Sequence, residues 1–121
     1  EMLARYPLST LVLVVLVPLA GTPMAHLAPP PVDEVADFFA AARLAVPDTT
    51  INLGCARPLG AAKRELDEAA IDLGLNGVAF PAEGAIEYAR SRGLTPRLFE
   101  YCCSLTWDEA RESGITPRAA R

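Results

Sequence analysis

Histidine occurs once in this chain, at position 26. A Ser-His or Cys-His catalytic pair would have to use it, and the proline-rich stretch around it arranges no partner, so His26 reads as a solvent-facing or locally hydrogen-bonded side chain. Basic residues are in the minority. Eleven Lys and Arg against fifteen Asp and Glu leave a net charge of −4, and no run of basic residues interrupts that balance. A nucleic-acid partner needs a basic face, so none is expected. The arginines near the end (Arg111, Arg118 and Arg121) have no interleaved aromatics and read as a solvated tail. Long apolar runs are also missing: the run from Leu8 to Ala20 closes on Pro18, Gly21 and Pro23, short of the roughly 20 residues that span a bilayer. Arg5 ahead of that run mimics an export signal, but no downstream position has small residues at both −3 and −1, since Ala25 follows Pro23 by two and Ala28 follows His26 by two. Three cysteines, an odd number, argue against a disulfide framework and for reduced thiols.

What is present is a repeated succession of short apolar strand, small-residue turn and helical pattern. The strands are expected over Leu11 to Pro18, Ile51 to Leu53 and Gly77 to Phe80. Val12, Val14, Val15 and Val17 are β-branched, and a continuous apolar run of that kind suits a strand buried on both faces. The turns Gly21-Thr22-Pro23, Gly54-Cys55-Ala56-Arg57-Pro58 and Pro81-Ala82-Glu83-Gly84 put a thiol, a guanidinium and a carboxylate at the same end of the strands, which is the functional end of parallel α/β architectures. The fold class is α/β. A parallel sheet must be covered on both faces or closed into a barrel, and 121 residues opening on Glu1 are expected to be a piece of a larger fold.

The first helix is expected from Asp33 as its cap, with Val32, Val35, Phe38, Phe39, Ala42 and Val46 as its apolar stripe and Pro47 as its end. The second, from about Ala61 to Leu73, carries Ala62, Leu66, Ala69, Ala70 and Leu73 on one side and Lys63, Arg64, Glu65, Asp67 and Glu68 on the other, with Gly74 as its stop. The third runs from Gly84 to Arg92 and ends at Gly93. Leu94 to Cys103 is expected to add an edge segment, Trp107 to Glu112 a final helical turn or two, and Gly114 to Arg121 to fray.

Among the chemically capable residues, Cys55 and the pair Cys102-Cys103 are open to two readings, small buried apolar side chains or thiolate ligands from two segments for a zinc or iron-sulfur site. Arg57 offers a fork of donors for a substrate carboxylate or phosphate, or for a salt bridge to a neighbouring loop. Glu83 before a helix start complements the helix dipole. Asn52 alternates in facing with Ile51 and Leu53, which in a closed barrel makes it an inward polar residue.

These residues carry a resemblance. The run LVVLVPLAGTPM from Leu13 to Met24, Ala42-Arg43-Leu44 ahead of Pro47, INLGCARP from Ile51 to Pro58 and GVAF before a turn resemble the C-terminal part of biotin synthase-type radical S-adenosylmethionine enzymes. The resemblance spans about Leu11 to Leu105. It implies a partial (β/α)8 TIM-type barrel contributing the last three or four parallel β/α units, with residues 1–10 as lead-in and 106–121 as a short helix and tail. Such enzymes cleave S-adenosylmethionine at an iron-sulfur cluster to make a 5′-deoxyadenosyl radical. Their CxxxCxxC motif, which holds that cluster near the start of the barrel, is absent here, so the fragment alone is expected to be inactive.

Residue by residue, the resemblance implies that Val17 contacts the adenine of S-adenosylmethionine, while the inward facing of Asn52 and the donor fork of Arg57 make these two the expected substrate-binding residues. The biotin synthase pattern has Asn where this chain has Val14, and a cluster-ligating Arg where it has Asn52. With GCARP and the terminal Glu100-Tyr101-Cys102-Cys103-Ser104-Leu105, these departures point to the biotin synthase-like pair of proteins that make lipoyl groups by sulfur insertion. Cys55, Cys102 and Cys103 would then ligate an auxiliary iron-sulfur cluster. The implied partners are a small-molecule or lipoyl-domain substrate and a second radical S-adenosylmethionine subunit, with no nucleic acid and no membrane, in the cytoplasm. Two other readings stay open: an exported or membrane-tethered α/β binding module with an N-terminal signal segment, and a non-catalytic barrel remnant whose open sheet edge pairs with another chain.

Overall fold

The computed structural model describes residues 2–105, 107–112, 114 and 118–119. Three parallel strands form its centre: β1 (Thr10–Leu13), β2 (Thr50–Leu53) and β3 (Gly77–Val78), in spatial order β1-β2-β3. Leu11 pairs with Ile51 and Leu13 with Leu53, while Asn52 pairs with Gly77 and Leu53 with Val78. Because side chains alternate along a strand, Leu11, Leu13, Ile51, Leu53 and Val78 share one face, and Val12, Asn52 and Gly77 share the other.

The first face is the core side. Helix α1 (Val32–Ala45) supplies Val35, Phe39 and the following Val46, and α2 (Ala61–Asp72) supplies Leu66 and Ala70; these pack with Leu13, Val15, Ile51 and Leu53 into one cluster. Helix α3 (Ala85–Ser91) buries Ala85 and Ala89 beside α2. The expected stripe on α1 holds except at Phe38, which is 61% exposed. Asp33 is not the cap. Pro31 takes that position, and Asp33 with Glu34 lies in the first helical turn, where a carboxylate complements the dipole instead.

Gly74 and Gly93 close α2 and α3 as expected, with φ of 72° and 79°. In each case the glycine amide bonds back three residues and the next amide five, Leu75 N–H to the Ala70 carbonyl and Leu94 N–H to the Ala89 carbonyl, both within 3.1 Å. This left-handed closure strongly favours a residue without Cβ, and it turns the chain directly into β3 after α2.

Two expectations are corrected. Regular pairing in the valine-rich segment stops at Leu13, although the Val15 amide still donates to the Ala56 carbonyl at 2.8 Å; the partner chain has by then entered the Gly54–Arg57 turn, and Pro18 has no amide to donate. Among the described residues the segment is also a sheet edge, with β2 as its one neighbouring strand. The stretch after α3 does not extend the parallel sheet. Its β4 (Arg97–Leu98) pairs antiparallel with β5 (Arg118–Ala119), so residues 118–119 are paired where fraying was expected. The fraying expected at 115–117 and 120–121 lies outside the described residues. Between them, α4 spans Trp107–Glu112.

Candidate functional site

The three strands are parallel, so the chain leaves them all at one end of the sheet, and there a buried ionic clasp organises the turns after β2 and β3. Arg57, with its side chain fully buried, donates from Nε to Asp67 Oδ1 at 2.8 Å, from Nη1 to the Gly54 carbonyl at 2.7 Å, and from Nη2 to the carbonyls of Ala79 (2.7 Å) and Phe80 (3.2 Å). Asp67, also without solvent exposure, uses Oδ2 to accept from the Ala82 amide at 2.7 Å and from Lys63 Nζ at 3.3 Å. Lys63 reaches the Phe80 carbonyl as well. Of the two roles open to Arg57, the structure assigns the ion pair: its fork ties the turn after β2 to the turn after β3 and to α2, and its donors face the chain itself. Phe80, held by this clasp, has φ of 46°, a conformation that costs a residue with a side chain about 1–2 kcal/mol.

Sequence reasoning missed Asp67, which had been assigned to the solvent face of α2. The signal was available: Asp67 sits between Leu66 and the Ala69-Ala70 stripe, and a buried guanidinium requires a carboxylate. Lys63 was missed for the same reason, being one turn before Asp67.

At the opposite end of the strands a second arginine does similar work. Arg43 Nη1 donates to the carbonyls of Pro47 (3.1 Å) and Thr49 (2.9 Å), and Nη2 to the Gly74 carbonyl (2.8 Å) and Asn76 Oδ1 (2.5 Å). Asn76 Oδ1 also accepts the Ile51 amide at 2.9 Å. The two forks fix the entrances and exits of β2 and β3, which makes the sheet a rigid base for the side chains on its second face.

That second face is small and polar at its centre. Asn52 is buried there, and its Nδ2 donates to the Cys103 carbonyl at 2.7 Å, so the segment carrying the cysteine pair crosses β2. Its neighbours have no room for side chains. A Cβ on Gly77 would lie 2.7 Å from Asn52 Oδ1, and one on Gly54 would lie 2.9 Å from the Cγ1 atoms of both Val12 and Val14.

All three cysteines are free; Cys55 and Cys102 are exposed and Cys103 is half-buried. Burial, with the neighbouring Cys102 thiol, pushes the Cys103 pKa up, and the Cys55 amide opposes that shift. Cys102 is pulled down, chiefly by the Ser104 hydroxyl, which donates to its sulfur at 3.2 Å. The fold thus draws the cysteine-bearing segments together. Among the described residues, however, no group of three or more His, Cys, Asp or Glu is disposed to hold a metal ion. Among the described residues the three thiols as they stand do not make a cluster site.

Val17 is 38% exposed in the irregular stretch after β1. Glu83 is exposed in the turn before α3 and His26 is exposed on the connector, so neither joins the clasp. On the outer side, Asp72 accepts from Tyr88 Oη (2.7 Å) and from Arg92 Nε (2.7 Å) and Nη2 (2.6 Å), fastening α2 to α3. These donors, Arg92 first, hold the Asp72 carboxyl below its ordinary range. A cavity of about 460 Å³ opens between β3, α3 and residues 94–99, lined mainly by apolar side chains such as Val78, Ile86, Leu94 and Phe99. No helix among the described residues is long and apolar enough to cross a membrane. Compared with known protein families, with curated proteins and with solved structures, the chain finds no match.

Proposed function

We propose that this chain is the C-terminal part of the (β/α)8 barrel of a radical S-adenosylmethionine enzyme, and that the parent inserts sulfur at an unactivated carbon in the manner of lipoyl synthesis. The observation that carries the reading is the asymmetry of the sheet. Helices α1 and α2 pack on one face with α3 beside α2, while the other face carries Asn52, Gly54 and Gly77 at its centre. A doubly wound sheet needs apolar strand positions on both faces because helices cover both; a barrel interior tolerates small and polar residues where a ligand or another backbone approaches. The side chains on this face, together with the cysteine segment bound to Asn52, would line the mouth of the barrel.

In this reading a CxxxCxxC segment of the parent would hold the catalytic cluster, whose chemistry would be one-electron reduction of S-adenosylmethionine. The residues of this chain do positioning work. The Arg57–Asp67–Lys63 clasp holds the strand-end turns rigid, Asn52 carries the Cys102-Cys103 segment across the sheet, and Val17 offers an apolar contact to the adenine. An export signal in the valine-rich segment fits less well, because its removal would take Leu13 and Val15 out of the core.

The experiment is to express the parent polypeptide, reconstitute it anaerobically with iron and sulfide, and assay S-adenosylmethionine cleavage to 5′-deoxyadenosine. Iron uptake with cleavage is expected. A parent sequence without a CxxxCxxC segment, or a reconstituted protein that leaves S-adenosylmethionine intact, overturns the proposal. Iron content after changing Cys55, Cys102 and Cys103 to alanine then reports on an auxiliary cluster separately.

A further inference from the structure

The contact between the two cysteine-bearing segments has a consequence that does not depend on radical chemistry. Cys103 is fixed over β2 by its carbonyl, which accepts from Asn52 Nδ2 at 2.7 Å, and the Cys55 backbone amide favours its thiolate from nearby. Asn52 belongs to β2, and Cys55 is three residues further along the same strand and turn. Gly77 makes this anchor possible, because any Cβ there would collide with the Asn52 side chain. The Cys55 thiol is exposed, whereas Cys103 is half-buried above the sheet. Cys102 is the obvious competitor, but a disulfide between adjacent residues is strained, since the two Cα atoms are held about 3.8 Å apart, below the usual disulfide span.

We propose that Cys55 and Cys103 are a thiol pair that closes to a disulfide when the chain meets a hydroperoxide, with Asn52 as the residue that positions it. The exposed Cys55 thiolate attacks the peroxide O–O bond, giving a sulfenic acid and releasing water or an alcohol from the leaving oxygen. The Cys103 thiol then attacks the Cys55 sulfur, the S–O bond breaks, the S–S bond forms and a second water leaves with the Cys103 proton. Two thiols lose two electrons in all, and one peroxide gains them. The bond would lock the C-terminal segment across the second face of the sheet and close the mouth formed by the strand-end turns.

The test treats the full chain, freed of metal by a chelator, with hydrogen peroxide, and maps disulfides by mass spectrometry after trypsin digestion without reduction. The expected product joins the peptide holding Cys55 to the peptide holding Cys102 and Cys103. It should persist in Cys102→Ser and vanish in Cys103→Ser and in Cys55→Ser. Asn52→Asp keeps the shape of the side chain but lacks the Nδ2 donor, and should form the bond about tenfold more slowly, the effect of one lost hydrogen bond. Circular dichroism of each variant confirms that the fold is retained, and if Asn52→Asp does not fold, Asn52→Ser takes its place with the same expectation. A bond that survives Cys103→Ser, a Cys102-Cys103 bond, or separate sulfenic and sulfinic acids with no cross-link would overturn the pair. An unchanged rate in the Asn52 variant would overturn the positioning role.

Discussion

Replacing Asp67 by Asn changes one atom type in the middle of the strand-end clasp and should cost the fold a large share of its stability. The carboxylate receives Arg57 Nε at 2.8 Å on one oxygen, and the Ala82 amide at 2.7 Å with Lys63 Nζ at 3.3 Å on the other; neither Arg57 nor Asp67 exposes any side-chain surface. An Asn must turn its NH2 group toward one of these donors, so it loses a hydrogen bond as well as the charge, and it leaves two cations close together without a counter-ion. Removing one partner of a buried pair costs about 3–5 kcal/mol, against a total stability of about 5–15 kcal/mol for a domain. At about 4 °C per kcal/mol, the Tm should fall by roughly 10–20 °C. Urea unfolding followed by far-UV circular dichroism measures this as a drop in midpoint at unchanged slope. Adding Arg57→Met should recover only part of the loss, because the Gly54 and Ala79 carbonyls would still lack a donor. A cost below about 1 kcal/mol for Asp67→Asn, the range of exposed pairs, would refute the argument that this clasp is dry.

Gly77→Ala should destabilise by about 1–3 kcal/mol through the clash with Asn52, and urea denaturation of the glycine and alanine forms measures it. If the Asn52 latch is the cause, Gly77→Ala should also raise the alkylation rate of Cys103. Because Asp72 has a depressed pKa in the folded chain, its contacts with Arg92 and Tyr88 stabilise the fold above the unfolded carboxylate pKa, about 3.9, and that stability is lost as pH falls through the lower folded value. Thermal unfolding between pH 2 and 6 should therefore show an acid slope that Asp72→Asn flattens. Iodoacetamide at neutral pH should label Cys102 before Cys103, since the Ser104 hydroxyl favours the Cys102 thiolate while burial disfavours that of Cys103. Ser104→Ala should narrow the difference, and equal rates in the unaltered chain would contradict the assigned geometry.

The main elements were legible because each rests on local rules. Alternation at Ile51-Asn52-Leu53 predicted the two faces of β2, and Gly74 and Gly93 marked the helix ends through the left-handed closure they permit. The short strand Gly77 to Phe80 was legible in type but too long, since Ala79 and Phe80 turn their carbonyls to Arg57. The stretch from Leu94 was less legible. Whether Arg97–Leu98 would join the parallel sheet or pair with residues 118–119 depends on which edge is within reach, and no periodicity encodes that. Of the candidate site, Cys55, Arg57, Asn52 and the Cys102-Cys103 pair stood out in the sequence, but Asp67 and Lys63 did not, and neither did the arrangement.

The order of strands and helices, the parallel sense of the sheet and the end at which its chemistry-bearing turns gather were determined by the sequence alone, because hydrophobic period, turn residues and right-handed connection are properties of neighbouring residues. The tertiary structure decided which polar groups became interior. Asp67 and Lys63 read as surface charges on a helix until Arg57 is brought beneath them, and Asn52 reads as an inward polar residue without a partner until the carbonyl of Cys103, fifty-one residues later, arrives over it. Burial of a charge or an amide depends on a partner contributed from elsewhere in the chain, and such a partner is fixed only when the whole chain has folded.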